Sequence, residues 1–360
     1  MTEPKIFVIL PLREAFSRSG AGAIALTVAQ YLGHSGLREM TQVLGAPTVD
    51  PCDAQAFHAI RPQKRWWVRP TAAYTDACIA YIAETAPNHV DVHNRVALYL
   101  ACAKRFPSAR LSLWVHNDPW TIRGAKTQRQ RRRILKAGQV FCVSEWLRAR
   151  FLDGLSEGAE KVFVLPNAIE IAPARAAAKE KSILYVGRII PEKGADLFAK
   201  ALAIALPQLP QWRALLIGGG RSPRRALGAY EQEVRAALAP LGEQAVFSGF
   251  LPHERVMEAF SRSAIAVVPS LWEEPFGRTA LEAMAAGCAL IATRRGGLAE
   301  VIGDAAVALD PPDVDGLASA IVALAGDDGR RADLQRRAAE RAARLFDIRH
   351  WSARLDALRG

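Results

Sequence analysis

Two glutamates, Glu274 and Glu282, stand eight residues apart in the run Pro269-Ser270-Leu271-Trp272-Glu273-Glu274-Pro275-Phe276-Gly277-Arg278-Thr279-Ala280-Leu281-Glu282-Ala283-Met284-Ala285-Ala286-Gly287. An apolar strand-like run, Ala264 to Val268, precedes it, Pro275 and Gly277 turn the chain, and a helix expected from about Thr279 to Ala286 ends at Gly287 as a C-terminal cap. Glu274 then lies on the loop at the strand's carboxyl end, and Glu282 about one turn into the helix. Carboxylates accept hydrogen bonds from sugar hydroxyls, while helix N-terminal amides and the helix dipole hold a pyrophosphate. Taken alone, such a pair is more often a helix cap and a solvated charge.

The neighbouring residues decide otherwise. The run resembles the signature of family 4 of the retaining glycosyltransferases, a Glu-x7-Glu inside an E-[PG]-F-G helix start, which Glu274, Pro275, Phe276, Gly277 and Glu282 match. The resemblance implies the GT-B fold, α/β with two doubly wound Rossmann-like domains facing a cleft. It also implies that Glu274 bonds hydroxyls of the donor sugar, that Glu282 bonds the nucleotide ribose, and that Arg278 and Thr279 line the same donor site. Tyr185-Val186-Gly187-Arg188-Ile189-Ile190-Pro191-Glu192-Lys193-Gly194 resembles the family's G-R-x4-K-G element. Arg188 and Lys193 would clamp the diphosphate and neutralise the leaving group; a salt-bridged surface loop is the plainer reading of that string in isolation. Leu216-Ile217-Gly218-Gly219-Gly220, Phe247-Ser248-Gly249-Phe250 and Arg295 to Glu300 follow in the family's order, placing Gly219 and Phe250 with the donor and extending the resemblance over residues 182 to 312.

The first half of the chain matches less closely. Ser19-Gly20-Ala21-Gly22-Ala23 lies where the family keeps a glycine-rich loop that approaches the donor, so Gly20 and Gly22 are donor candidates. The same string scans as GxGxxA, the mark of a dinucleotide fold, but Arg13 to Ser19 intervene after the strand where a Rossmann turn is tight. His93 and His116 close two predicted strands. His116 resembles the family's donor-sugar histidine and is the fourth catalytic candidate beside Glu274, Arg188 and Lys193. His93, Asn94, Arg95, Asn117 and Arg123 are placed with the acceptor. Pro166-Asn167-Ala168-Ile169-Glu170 resembles the family's P-N-G-V-D, with Ala168 and Glu170 as departures.

These residues need a scaffold of alternating strands and helices. Short β-branched runs (Ile6 to Leu12, Val90 to His93, Leu111 to Val115, Val140 to Val143) alternate with amphipathic segments (Ala23 to Tyr31, Val96 to Arg105, Glu145 to Leu152), the pattern of a mostly parallel sheet. Ile171 to Lys181 has no core pattern and reads as a linker. The division expected is an acceptor domain over 1–170 and a donor domain over 171–344, with a helix over about 345–360 packed back on the first.

Composition sets limits. Lys and Arg number 47 against 36 Asp and Glu, a balance that attracts anions, and Thr121 to Lys136 holds seven basic residues and no acid. Its plain reading is a solvated helix face; in the family such a surface meets an anionic membrane or a phosphorylated glycolipid. Five cysteines without a CxxC pair argue for neither a disulfide framework nor a zinc site and read as the reduced thiols of a cytoplasmic protein; the family resemblance, with the basic run, implies a peripheral place at the membrane's inner face. No apolar stretch approaches the ~18 residues of a membrane span. Asp313-Val314-Asp315 fits a metal-binding Asp-x-Asp, yet it stands where a helix needs an N-cap, so no metal or other cofactor is expected. The substrates expected are a UDP- or GDP-sugar and a lipopolysaccharide-core or other envelope glycolipid. A nucleic acid is not expected, because stacking aromatics are missing among the basic residues. A nucleotide-sugar isomerase of the same fold and an NAD(P)-dependent oxidoreductase are the alternatives.

Overall fold

The computed structural model describes residues 5–63, 66–171, 179–219 and 228–360. Most of the expected linker, at 172–178, and Gly220 lie outside the described residues. The chain divides into two compact units, Met1–Glu170 with Phe346–Gly360, and Ile171–Leu345.

The first unit carries strands β1 (Ile6–Ile9), β2 (Thr41–Gly45), β3 (Phe57–Ala59), β4 (His89–His93), β5 (Arg110–Val115), β6 (Gln139–Cys142) and β7 (Val162–Val164). All pair in parallel, in the order β3-β2-β1-β4-β5-β6-β7. Helices α1 (Ala23–Gly33), α2 (Pro70–Ile82), α3 (Val96–Arg105), α4 (Gln128–Ala137) and α5 (Glu145–Leu152) are the crossovers. One core joins Val8, Leu10 and Val43 to Val28 and Leu32 of α1.

The second unit is a six-stranded parallel sheet of β8 (Glu180–Val186), β9 (Arg213–Ile217), β10 (Ala245–Gly249), β11 (Ser263–Val268), β12 (Ala289–Thr293) and β13 (Val307–Leu309). Its order is β10-β9-β8-β11-β12-β13. Helices α6 (Ala195–Ala205), α7 (Ala229–Leu238), α8 (His253–Arg262), α9 (Arg278–Ala285), α10 (Gly297–Ile302), α11 (Val314–Gly326) and α12 (Asp328–Phe346) belong to it. Ile183, Leu216, Ile265 and Ile291 of the sheet pack with Phe198 and Leu202 of α6 and Ile321 of α11. Asp313 caps α11 by accepting from the Gly316 amide at 2.7 Å, the duty that its position before an apolar helix implies.

At Asp347 the helix breaks and α13 (Ile348–Arg359) begins, packed on the first unit. Its Ile348 and Leu355 join Tyr31, Trp114 and Phe141 in one buried cluster. Near its end Arg359 donates from Nε to Oδ2 of the fully buried Asp91 at 3.0 Å, and His89 and Ser112 complete that network.

Candidate active site

In the second sheet the order of strands reverses at β8, whose neighbours are β9 and β11. Ligands of open parallel sheets sit beyond the carboxyl ends of the strands at such a switch point. The residues after β8 and β11 are the G-R-x4-K-G loop and the Glu274 segment. They meet there: Lys193 Nζ lies 2.5 Å from Glu274 Oε1 and 5.2 Å from the Trp272 ring centroid.

Backbone contacts hold the two loops in register. Leu271 N–H donates to Glu192 O at 2.9 Å, and the Tyr185 hydroxyl donates to the carbonyls of Arg188 and Lys193, 3.3 Å from each. Gly194 is left-handed (φ 66°), and a Cβ there would stand 2.2 Å from Pro269 O, so only glycine lets the loop close on β11's end. Gly296 serves the next loop likewise: a Cβ would come within 2.4 Å of Glu274 O, which accepts from the Gly297 amide at 2.7 Å. Pro275 and Phe276 carry the chain to Gly277, the N-cap of α9, which has no side-chain cap. Arg278 and Thr279 open the helix.

Both carboxylates are buried, at 5% exposure each. Glu274 Oε1 accepts from Ser270 Oγ at 2.5 Å as well as from Lys193. Glu282 Oε1 accepts from Arg278 Nε at 2.8 Å and from His253 Nε2 at 2.9 Å. Burial works against the charged form of Glu282, yet Arg278 and the His253 hydrogen bond outweigh it and hold the pKa below the usual glutamate value. In each residue a Lys or Arg cation and one further donor engage one oxygen, and among the described residues no hydrogen bond falls on the other. Each keeps acceptor capacity for a hydroxyl. Arg188 is exposed on the same loop as Lys193, Gly219 (φ 130°) follows β9, and Phe250, exposed, follows β10.

In the first sheet the reversal falls between β1 and β4. His93, expected with the acceptor, is buried at 2% exposure, its Nδ1 2.9 Å from His116 Nε2 and its ring stacked on Trp114. Burial pushes His93 down to about 3 and His116, with His93 beside it, well below the ordinary histidine value, so both rings are neutral at physiological pH. Asn94 has a positive φ (56°) and bridges the strand ends, donating to Asn117 Oδ1 at 2.6 Å and accepting from the His116 amide at 2.8 Å. Arg95 and Arg123 are exposed. Gly22 is the N-cap of α1 and Gly20 lies in the loop before it. The Glu14 carboxylate accepts from the Ala25 amide at 3.1 Å, so a protein anion already sits at the helix end a Rossmann pyrophosphate would use. No group of His, Cys, Asp and Glu among the described residues is arranged to hold a metal ion.

Residues 168–341 match the family described as glycosyl transferases group 1, a stretch that takes in nearly all of the second unit. That stretch belongs to glycosyl transferases group 1. The chain is 31% identical to a D-inositol 3-phosphate glycosyltransferase of Acidothermus cellulolyticus over 63% of its own length and 53% of the relative's. It is 25% identical to a lipopolysaccharide 1,2-N-acetylglucosaminetransferase of Salmonella typhimurium over 59% and 56%. The chain thus spans about half the length of these relatives. Among solved structures it resembles a sucrose-phosphate synthase from Thermosynechococcus elongatus (TM-score 0.78, 21% identity, 99% and 98% of the two chains). It also resembles HepE of Anabaena, solved with UDP and glucose (TM-score 0.75, 17% identity, 99% of each chain). At those identities the likeness speaks for the fold, which is GT-B.

Two site residues of the group 1 domain escape a reading of the sequence. Ser270 lies inside the signature run and bonds Glu274. His253 lies 29 residues before Glu282. In Leu251-Pro252-His253-Glu254 nothing marks it, because its partner is on another helix.

Proposed function

We propose that the protein is a retaining glycosyltransferase that moves a hexosyl unit from a UDP- or GDP-sugar to an acceptor without a metal ion. The observation that carries this reading is the Lys193–Glu274 pair at the switch point of the second sheet. A lysine set against a sugar-binding carboxylate can meet the diphosphate as the C1–O bond to it breaks. The acceptor hydroxyl attacks C1 on the same face, and its proton passes to the departing phosphate oxygen, so no enzymic nucleophile takes part. Glu274 bonds sugar hydroxyls, Glu282 the ribose, and Arg188 the diphosphate with Lys193.

The acceptor is an envelope glycolipid, such as a lipopolysaccharide core, met by Arg95, Asn117, Arg123 and the basic surface of α4. The protein works in the cytoplasm, peripheral at the membrane's inner face; no helix among the described residues is long and apolar enough to cross it. A screen of UDP- and GDP-sugars for donor hydrolysis and transfer, with and without EDTA, tests the reading. Release of UDP or GDP that survives EDTA and is lost in Lys193→Ala is expected. Absence of turnover with every donor sinks it, and an epimerised sugar formed without acceptor favours an isomerase instead.

A further inference from the structure

Glu282 is held from two helices at once. Arg278, one turn earlier on α9, fixes the carboxylate only relative to its own helix. His253, the first residue of α8, ties the same Oε1 to a second element. The His253 side chain is 28% exposed and that of Glu282 7%, so the contact sits just under the surface. An ionised carboxylate only accepts, so His253 donates its Nε2 proton. With Oε1 engaged twice, Oε2 is the oxygen left to take a ligand hydroxyl.

We propose that His253 is a positioning residue for nucleotide binding: by anchoring Glu282 Oε1 to α8, it presents Oε2 to the ribose hydroxyls of a nucleoside diphosphate without touching the ligand itself. The proposal rests on the donor-site reading above. A carboxylate restrained from two elements loses less freedom when a ligand binds, and that difference appears as affinity.

Calorimetric titration of the full chain with UDP and with GDP tests it. His253→Ala is expected to weaken the tighter-binding of the two about tenfold, the scale of one ordered hydrogen bond to a charge. His253→Gln, whose amide can still donate to Oε1, should recover most of that loss. Because His253 acts through Glu282, the double variant His253→Ala/Glu282→Gln should bind no more weakly than Glu282→Gln alone. Unfolding temperatures accompany every variant, and His253→Asn, too short to reach Oε1, replaces the alanine variant if that one does not fold.

Wild-type affinity in His253→Ala overturns the proposal. So does additive loss in the double variant, which would mean that His253 touches the ligand directly. A different result marks failure of the donor-site reading itself: wild-type protein that binds neither UDP nor GDP, or a Glu282→Gln variant that binds as well as wild type.

Discussion

Glu274 and Glu282 face different parts of one donor in the proposed reaction, and their kinetics should separate accordingly. Contacts to the sugar tighten as positive charge develops at C1, so Glu274→Ala should chiefly lower kcat. Ribose contacts change little between ground and transition states, so Glu282→Ala should chiefly raise the donor KM. Lys193→Ala removes a charge from the leaving group and is expected to cost about 2–4 kcal/mol in kcat/KM. Steady-state rates at saturating acceptor decide all three. Wild-type kinetics in a folded Glu274→Ala protein would refute the site. Ser270 and His253 show that the Glu-x7-Glu spacing is not the whole site: each carboxylate works with a second donor that this spacing does not name.

At the scale of elements, the site depends on loops pressed together closely enough to exclude a Cβ. Gly194→Ala combines left-handed strain with a clash against Pro269 O, and should destabilise the protein by about 2 kcal/mol or more, read by denaturant unfolding. Helix α4 separates two duties that its composition blends. Arg131 is buried and donates to the carbonyls of Ala125, Lys126 and Asp153, so it braces the loop before α4 and the end of α5. Arg129, Arg132, Arg133 and Lys136 are exposed. Replacing Arg132 and Arg133 with Ser should weaken co-sedimentation with anionic vesicles, with the remaining binding falling as salt rises. Arg131→Ala should lower the unfolding temperature instead. Equal sedimentation on neutral and anionic lipid would refute the membrane role proposed for α4.

On the scale of the whole molecule, the C-terminal helix returns to the first unit and inserts a cation into its core. Asp91 is fully buried; burial alone would raise its pKa, but Arg359 and His89 outweigh that and hold it far below the usual aspartate value. A buried pair broken on one side leaves an uncompensated charge, so Arg359→Met should cost about 3–5 kcal/mol near neutral pH. The sign of its pH dependence follows from the depressed pKa. The stabilisation is complete above the unfolded aspartate pKa of about 3.9 and is lost as pH falls below it, so the gap between wild type and variant should narrow in acid. Thermal unfolding of both proteins from pH 7 to pH 3 checks this, and a gap that widens in acid would refute it.

Local structure is legible in the amino-acid order. Alternating apolar runs and amphipathic segments imply the βα order, Asp313 marks a helix start, and the spacing from Glu274 to Gly287 implies a loop, a helix start and a C-terminal cap. Each of these is written within a turn or two of backbone, where periodicity and capping act. Strands β2 and β3 with helix α2 were not legible: β2 mixes Thr41 and Gln42 with its apolar residues, β3 is three half-buried residues, and α2 buries only Tyr74, Cys78 and Ile82. Which side chains meet across elements emerges only when the chain is folded. Folding sets His93 against His116, turns Arg131 inward, joins Arg359 to Asp91 across 268 residues and brings His253 to Glu282. Parallel strands are connected by long crossovers, so neighbours in space are far apart in sequence, and no spacing rule reaches them.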